Sequence, residues 1–220
     1  MASTTGTRDI MERALSHATA DHVTVSVHES EELVTRIANS AITQNVDRRD
    51  RSMTVSAGFG TQVGHASDND LSDEGVRAVV RRAEDIAKSV SPDPEHMPPP
   101  PAPDGYPTVA ASSDETRAFT PDDAASAILG AVRAADKGSV TLAGSYRTSW
   151  SSEAVLNSAG LYHAEDSTWA QYTNTAMTDD SSGWATSAAR SVADVDVTAT
   201  AASAIHKARV GQAPKDVAPG

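Results

Sequence analysis

Residues 22–66, HVTVSVHESEELVTRIANSAITQNVDRRDRSMTVSAGFGTQVGHA, decide the fold. Val23, Val25 and Val27 alternate with polar neighbours, the period-two signature of a strand buried on one face. Residues 33–38 and 42–46 read as the next strands. Asn39-Ser40 between them supplies a turn, because both side chains bond to local backbone in chain reversals. Residues 52–59 carry Met53, Val55 and Ala57 on one face, and 61–66 complete the meander, with Gly58, Gly60 and Gly64 at the bends. The stretch predicts antiparallel strands with one apolar face that needs a cover.

The flanks supply that cover. In residues 8–20, Ile10, Met11, Ala14, Leu15 and Ala18 form one face at helical spacing. Beyond the meander Ser72 suits an N-cap, and Asp73 and Glu74 sit where the helix dipole favours anions. Leu71 is placed to staple onto Val76. Val76, Val79, Val80, Ala83, Ile86, Ala87 and Val90 then make a continuous stripe. Helix, antiparallel sheet and closing helix define a two-layer α+β unit.

The chain next changes character. Eight of its 11 prolines fall between 91 and 107, a composition that tends toward extended polyproline II and acts as a semi-rigid spacer. A second unit repeats the α+β plan. Thr120-Pro121-Asp122-Asp123 combines an N-cap, a first-turn proline and first-turn acids. The helix carries Ile128, Leu129 and Val132 and stops at Gly138. Residues 139–190 are strand-like and rich in Ser and Thr, with Asn157-Ser158-Ala159-Gly160 as a hairpin turn. A last helix covers 196–209. The expected organisation is two α+β domains in tandem, 1–90 and 116–212, joined by a proline-rich linker at 91–115 and followed by a terminal linker at 213–220.

Composition excludes several classes. The 220 residues hold 18 basic and 30 acidic side chains, a formal net charge of -12, which argues against nucleic acid or an anionic membrane as partner. No cysteine is present, so there is no disulfide framework, thiolate metal ligand or cysteine nucleophile. No apolar run approaches the ~18 residues of a membrane span, and a signal-peptide core is lacking, so a cytoplasmic location is expected.

A search for chemistry finds no catalytic, cofactor-binding or metal-binding residues. The seven histidines do not form a helical zinc pair: His17 and His22 straddle a helix end, and His28-Glu29 lies in a strand without a second His. There is no G-x-S-x-G, and Gly58-Phe59-Gly60 opens no helix. Asp179-Asp180 and Glu165-Asp166 match no calcium loop. What stands out is an aromatic set on the low-charge strands of the second unit: Tyr146, Trp150, Tyr162, Trp169, Tyr172 and Trp184. Such residues either fill a core or contact an extended peptide added as a further strand.

The order of motifs resembles the N-terminal portion of the TldD/PmbA (TldD/TldE) family, once labelled modulators of DNA gyrase. The resemblance rests on ELVTRIANSAITQNVDRRD (32–50), SMTVSAGFGTQVGHASDNDLS (52–72), the helix DEGVRAVVRRAEDIAKSVSPDP (73–94) and VLNSAGLYHAEDSTWAQY (155–172). Thr35-Arg36-Ile37-Ala38-Asn39-Ser40, Gly64-His65-Ala66-Ser67 and Asn157-Ser158-Ala159-Gly160 carry its local motifs. The resemblance implies a zinc-dependent peptidase system that cleaves peptides or small amides. Its metal-bearing subunits use a helical His-Glu-x-x-x-His and a later cysteine, and they pair with a metal-free TldE-like partner around an enclosed cavity. Neither motif occurs in this sequence. The resemblance thus predicts a substrate-enclosing, subunit-associating portion, with zinc held in a catalytic half, or else a TldE-like scaffold. The partner would be a TldD- or TldE-like subunit or a second copy.

Overall fold

The computed structural model describes residues 4–215, so the predicted terminal linker lies outside the described residues from 216 onward. The elements are α1 (Thr4–His17), β1 (His22–Ala38), β2 (Ala41–Phe59), β3 (Gln62–Asp68), α2 (Asp73–Ser89), α3 (Asp114–Ala118), α4 (Pro121–Lys137), β4 (Thr141–Asn157), β5 (Tyr162–Met177), β6 (Ser182–Ala189), a 3-10 turn (Val192–Asp194) and α5 (Val197–Val210). The strands form a six-stranded sheet in the order β3-β2-β1-β4-β5-β6. The outer pairs β2/β3 and β5/β6 are antiparallel. The α+β class read from the sequence holds.

The strands are longer than the sequence pattern suggested. Residues 22–28 and 33–38 belong to one 17-residue strand, and 42–46 and 52–59 to one of 19 residues. The charged runs 29–32 and 47–51 resemble loops, yet ion pairs hold them in extended backbone. Arg51 Nε lies 2.8 Å from Glu29 Oε1, and Arg147 pairs with Glu32. Glu31, Asp47, Arg48, Arg49 and Asp50 also have partners. Asn39 and Ser40 both adopt positive φ (51° and 58°), the conformation of a two-residue hairpin loop that keeps strand twist.

Two compact units emerge. Among the described residues the first takes 4–30, 49–110 and 151–166; the second takes 31–48, 111–150 and 167–215. The expected domains were contiguous in sequence, whereas these units draw on both sides of the proline-rich run. The physical reason is strand length: β1, β2, β4 and β5 each supply residues to both.

In the first unit α1 and α2 cover one sheet face. Met11, Ala14, Val23, Val25, Val27, Met53, Val55, Ala57, Val76, Val79, Val80, Ala83, Ala154 and Leu156 form its buried core. Each fully buried Val contributes about 1.5–3 kcal/mol of transfer free energy. Ser72 caps α2 through the Gly75 amide, as predicted. Glu84 on α2 is buried, and its carboxylate accepts from the Thr19 and Ala20 amides (2.5 and 3.0 Å) and from the Thr19 hydroxyl (3.0 Å). Those bonds fix the chain leaving α1, which ends at His17 rather than at residue 20.

In the second unit α4 and α5 cover the sheet. The core includes Ile37, Ile128, Leu142, Tyr146, Tyr172, Ala201, Ala204 and Ala208. Thr120 and Asp123 form a reciprocal capping box, and Asp196 caps α5. The short α3, capped by Ser113, was not foreseen. Both outer strands let a helix come close. A Cβ on Gly64 would sit 2.2 Å from the Ala83 carbonyl oxygen of α2, and one on Gly183 would sit 2.2 Å from the Ala204 carbonyl oxygen of α5.

Candidate functional site

The aromatic set divides by strand parity. On β5, Ala170, Tyr172, Asn174 and Ala176 are buried and alternate with Trp169, Gln171, Thr173 and Thr175 on the opposite face. Tyr172 is 0% exposed and Tyr146 is 3% exposed. Phe119 stacks on Tyr146 at 5.0 Å, and Tyr146 lies 6.0 Å from Tyr172, so these rings are core packing with no surface to offer a peptide. Trp150 is half-buried with the Arg117 guanidinium 4.4 Å above its ring, a cation–π contact. In the first unit Tyr162 packs beside the core under Arg8, 4.7 Å from its ring centre.

Trp169 and Trp184 remain outside, 46% and 57% exposed. The β5/β6 register sets Trp184 opposite Thr175, Thr186 opposite Thr173 and Ala188 opposite Gln171. Trp169 and Trp184 therefore share the face turned away from the core, above a floor of small and hydroxyl-bearing side chains. β6 is a sheet edge, and Lys207 Nζ donates to the Trp184 carbonyl at 2.8 Å. A lysine at an edge carbonyl blunts indiscriminate strand pairing.

The sequence reading did not find a polar cleft of about 370 Å³ in the second unit, lined by Asn39, Ser139, Thr141, Thr178, Asp179 and Gln212, with Met177. Chain reversals build it, and Asn39 and Ser139 both have positive φ. The Asn39-Ser40 turn signal was visible; its meeting with residues some hundred positions away was not.

Electrostatics at these sites are mild. Burial pushes the Tyr172 phenol up to about 12 and raises Tyr146 as well. Asp123 is held below the ordinary carboxylate range by the Thr120 hydroxyl and amide, and Asp68 by the Asp70 amide and Arg82. Among the described residues no group of three or more His, Cys, Asp or Glu side chains converges. His28 Nδ1 meets Glu153 Oε1 at 2.5 Å as a pair.

The fold defines a helix-covered antiparallel sheet protein, and solved structures share it. TldE from Thermococcus kodakarensis superposes with a TM-score of 0.78 at 18% identity, covering 92% of this chain and 47% of that one. A candidate modulator of DNA gyrase from Thermotoga maritima gives 0.83 at 15% identity, covering 97% of this chain and 50% of that one. Another from Bacteroides thetaiotaomicron gives 0.81 at 14% identity, covering 99% and 52%. The chain thus spans about half the length of these structures. No curated protein matches the sequence. Residues 23–87 match the family model described as PmbA/TldA metallopeptidase domain 1.

Proposed function

We propose that this chain is the substrate-enclosing and subunit-associating portion of a PmbA/TldD-type metallopeptidase that cleaves peptides or small amides, with its zinc held elsewhere in the assembly. The match of residues 23–87 to the metallopeptidase first domain carries the reading. One observation supports it. Trp169 and Trp184 are exposed on the same face of hydroxyl-rich strands, suited to an extended peptide through ring contacts. A cytoplasmic location belongs to the same reading, and among the described residues no helix is long and apolar enough to cross a membrane.

The test is a tryptophan fluorescence titration with unstructured peptides. Trp169→Ala and Trp184→Ala are each expected to weaken binding about ten-fold, as loss of an exposed aromatic anchor does. Unchanged affinity in both variants removes this face from the substrate path. A second reading, a TldE-like scaffold for a separate catalytic subunit, is favoured by the likeness to TldE. Mixing the chain with a metal-bearing TldD-type subunit separates the two. A stable complex with restored peptidase activity supports the scaffold, and failure to associate opposes it.

A further inference from the structure

The proline-rich run does not hang between units: it crosses the strand ends of the first unit in the order of the sheet. Gln62 of β3 donates from Nε2 to the Val90 carbonyl at 2.6 Å, and the Asp93 amide donates to the Thr61 carbonyl at 2.9 Å. His96 then stacks on His22 of β1, with ring centres 4.9 Å apart and planes at 21°. Asn157 at the end of β4 donates from Nδ2 to the Pro100 carbonyl at 2.8 Å. Tyr106 packs on His163 of β5, with ring centres 4.4 Å apart. Val23, Tyr162 and Ala164 belong to or pack on the core, so His22 and His163, their neighbours in sequence, point to the face that α1 and α2 leave open. Prolines keep the strap extended and limit the entropy it loses on seating.

Both ring clamps use histidine, but they respond to protons in opposite senses. Imidazole is the side chain that ordinarily changes charge between about pH 5 and 8. Double protonation of His22 and His96 puts like charges face to face. Protonation of His163 beneath Tyr106 leaves a cation against an aromatic ring, which is attractive. We propose that the strap is a proton-gated closure, released in acid at its His22–His96 clamp and retained at its Asn157 and Tyr106 anchors.

The surroundings of the first clamp are compatible with this. His22 Nε2 bonds with the Gly60 carbonyl at 3.0 Å, and its ring lies over Gly58, where a Cβ would meet it at 1.9 Å. Asp21 accepts from the Gly60 amide through Oδ2. On the strap, Asp93 accepts from the Glu95 amide, which places both carboxylates close to His96 in sequence. On β2, Lys88 of α2 sits 4.8 Å from the Phe59 ring centre, and His65 on β3 stands opposite Ser56. A proton on each of the two stacked rings sets like charges face to face. Two unit charges at this separation disfavour the stack by on the order of ten-fold or more near a protein surface.

Amide hydrogen exchange of the whole chain tests the device at Asp93, whose N–H is tied to Thr61. Between about pH 7.5 and about pH 5, corrected for intrinsic exchange, its protection is expected to fall about ten-fold while the core amide of Val25 keeps its own. His96→Phe retains a ring and removes the charge, so protection should become independent of pH. His163→Phe should leave the acid response intact. Constant protection of Asp93 in the native chain overturns the proposal. So does an undiminished acid response in H96F, or loss of that response in H163F.

Discussion

At the scale of single residues, two buried polar groups have opposite consequences. The Tyr172 hydroxyl is buried and makes no hydrogen bond in the structure, so it contributes desolvation cost and no bond. Burial holds its folded pKa at about 12 against an ordinary 10. A raised folded pKa means that the stabilising difference is complete below the unfolded value and is lost as pH climbs through the folded one. Chemical denaturation of the native protein should show stability declining from about pH 10 to about pH 12. Tyr172→Phe should flatten part of that decline, Tyr146 supplying the remainder, and should change neutral-pH stability by less than about 1 kcal/mol. A loss well beyond that at neutral pH would reveal a bonded hydroxyl. Glu84 is the converse case, a buried carboxylate accepting from two amides and a hydroxyl. Glu84→Ala strands those donors and should cost about 2–3 kcal/mol in urea denaturation. A cost below about 0.5 kcal/mol would mean that water replaces the carboxylate at no penalty.

At the scale of elements, what was legible in the sequence was local. Ser72 and Thr120 announce helices because a cap bonds an amide three residues on, and both do so here; Asp196, not read as a cap from the sequence, does the same for α5. Asn157 and Gly160 announce the β4–β5 turn for the same kind of reason, Asn157 Oδ1 accepting from the Ala159 and Leu161 amides. Strand continuity was not legible, because the residues that look like breaks, Glu29 to Glu32, are kept in β1 by Arg51 and Arg147 from other strands. The strap was misread as a spacer because its ring stacks join residues 74 and 57 positions apart in the chain (96 − 22 and 163 − 106). The aromatic set could be read as core or as surface; strand parity, known only with register, sends Tyr172 inward and Trp169 outward. Close helix approach is another non-local feature, and it carries a prediction. Gly64→Ala and Gly183→Ala push a methyl onto the backbone of α2 and α5, so each should destabilise by about 1–3 kcal/mol or more in thermal or urea unfolding. Gly130→Ala, where a Cβ meets nothing within 4 Å, serves as the control and should not destabilise. Equal behaviour of all three variants would show that the two helices do not approach the outer strands at these glycines.

At the scale of the whole molecule, the interleaved units make the proline-rich run a poor place to divide the chain. A cut after residue 110 would leave the first unit without 151–166, and with it Ala154, Leu156, Tyr162 and Ala164 from its core and margin. The second unit would lose 31–48, including Ile37. Removing a central strand exposes two rows of unpaired backbone groups as well as the apolar face it covered, a loss far beyond the typical total stability of about 5–15 kcal/mol. Fragments 1–110 and 111–220 prepared separately should therefore lack cooperative unfolding by circular dichroism and give poorly dispersed amide spectra. Fragments cut at a true boundary between tandem domains would each melt cooperatively. If 1–110 alone unfolds in one sharp transition with native-like amide dispersion, β4 and β5 are dispensable to the first unit and the contiguous division at the proline-rich run is the correct one. If the two fragments regain dispersion only when mixed, the long strands are what make a single folding system from both units.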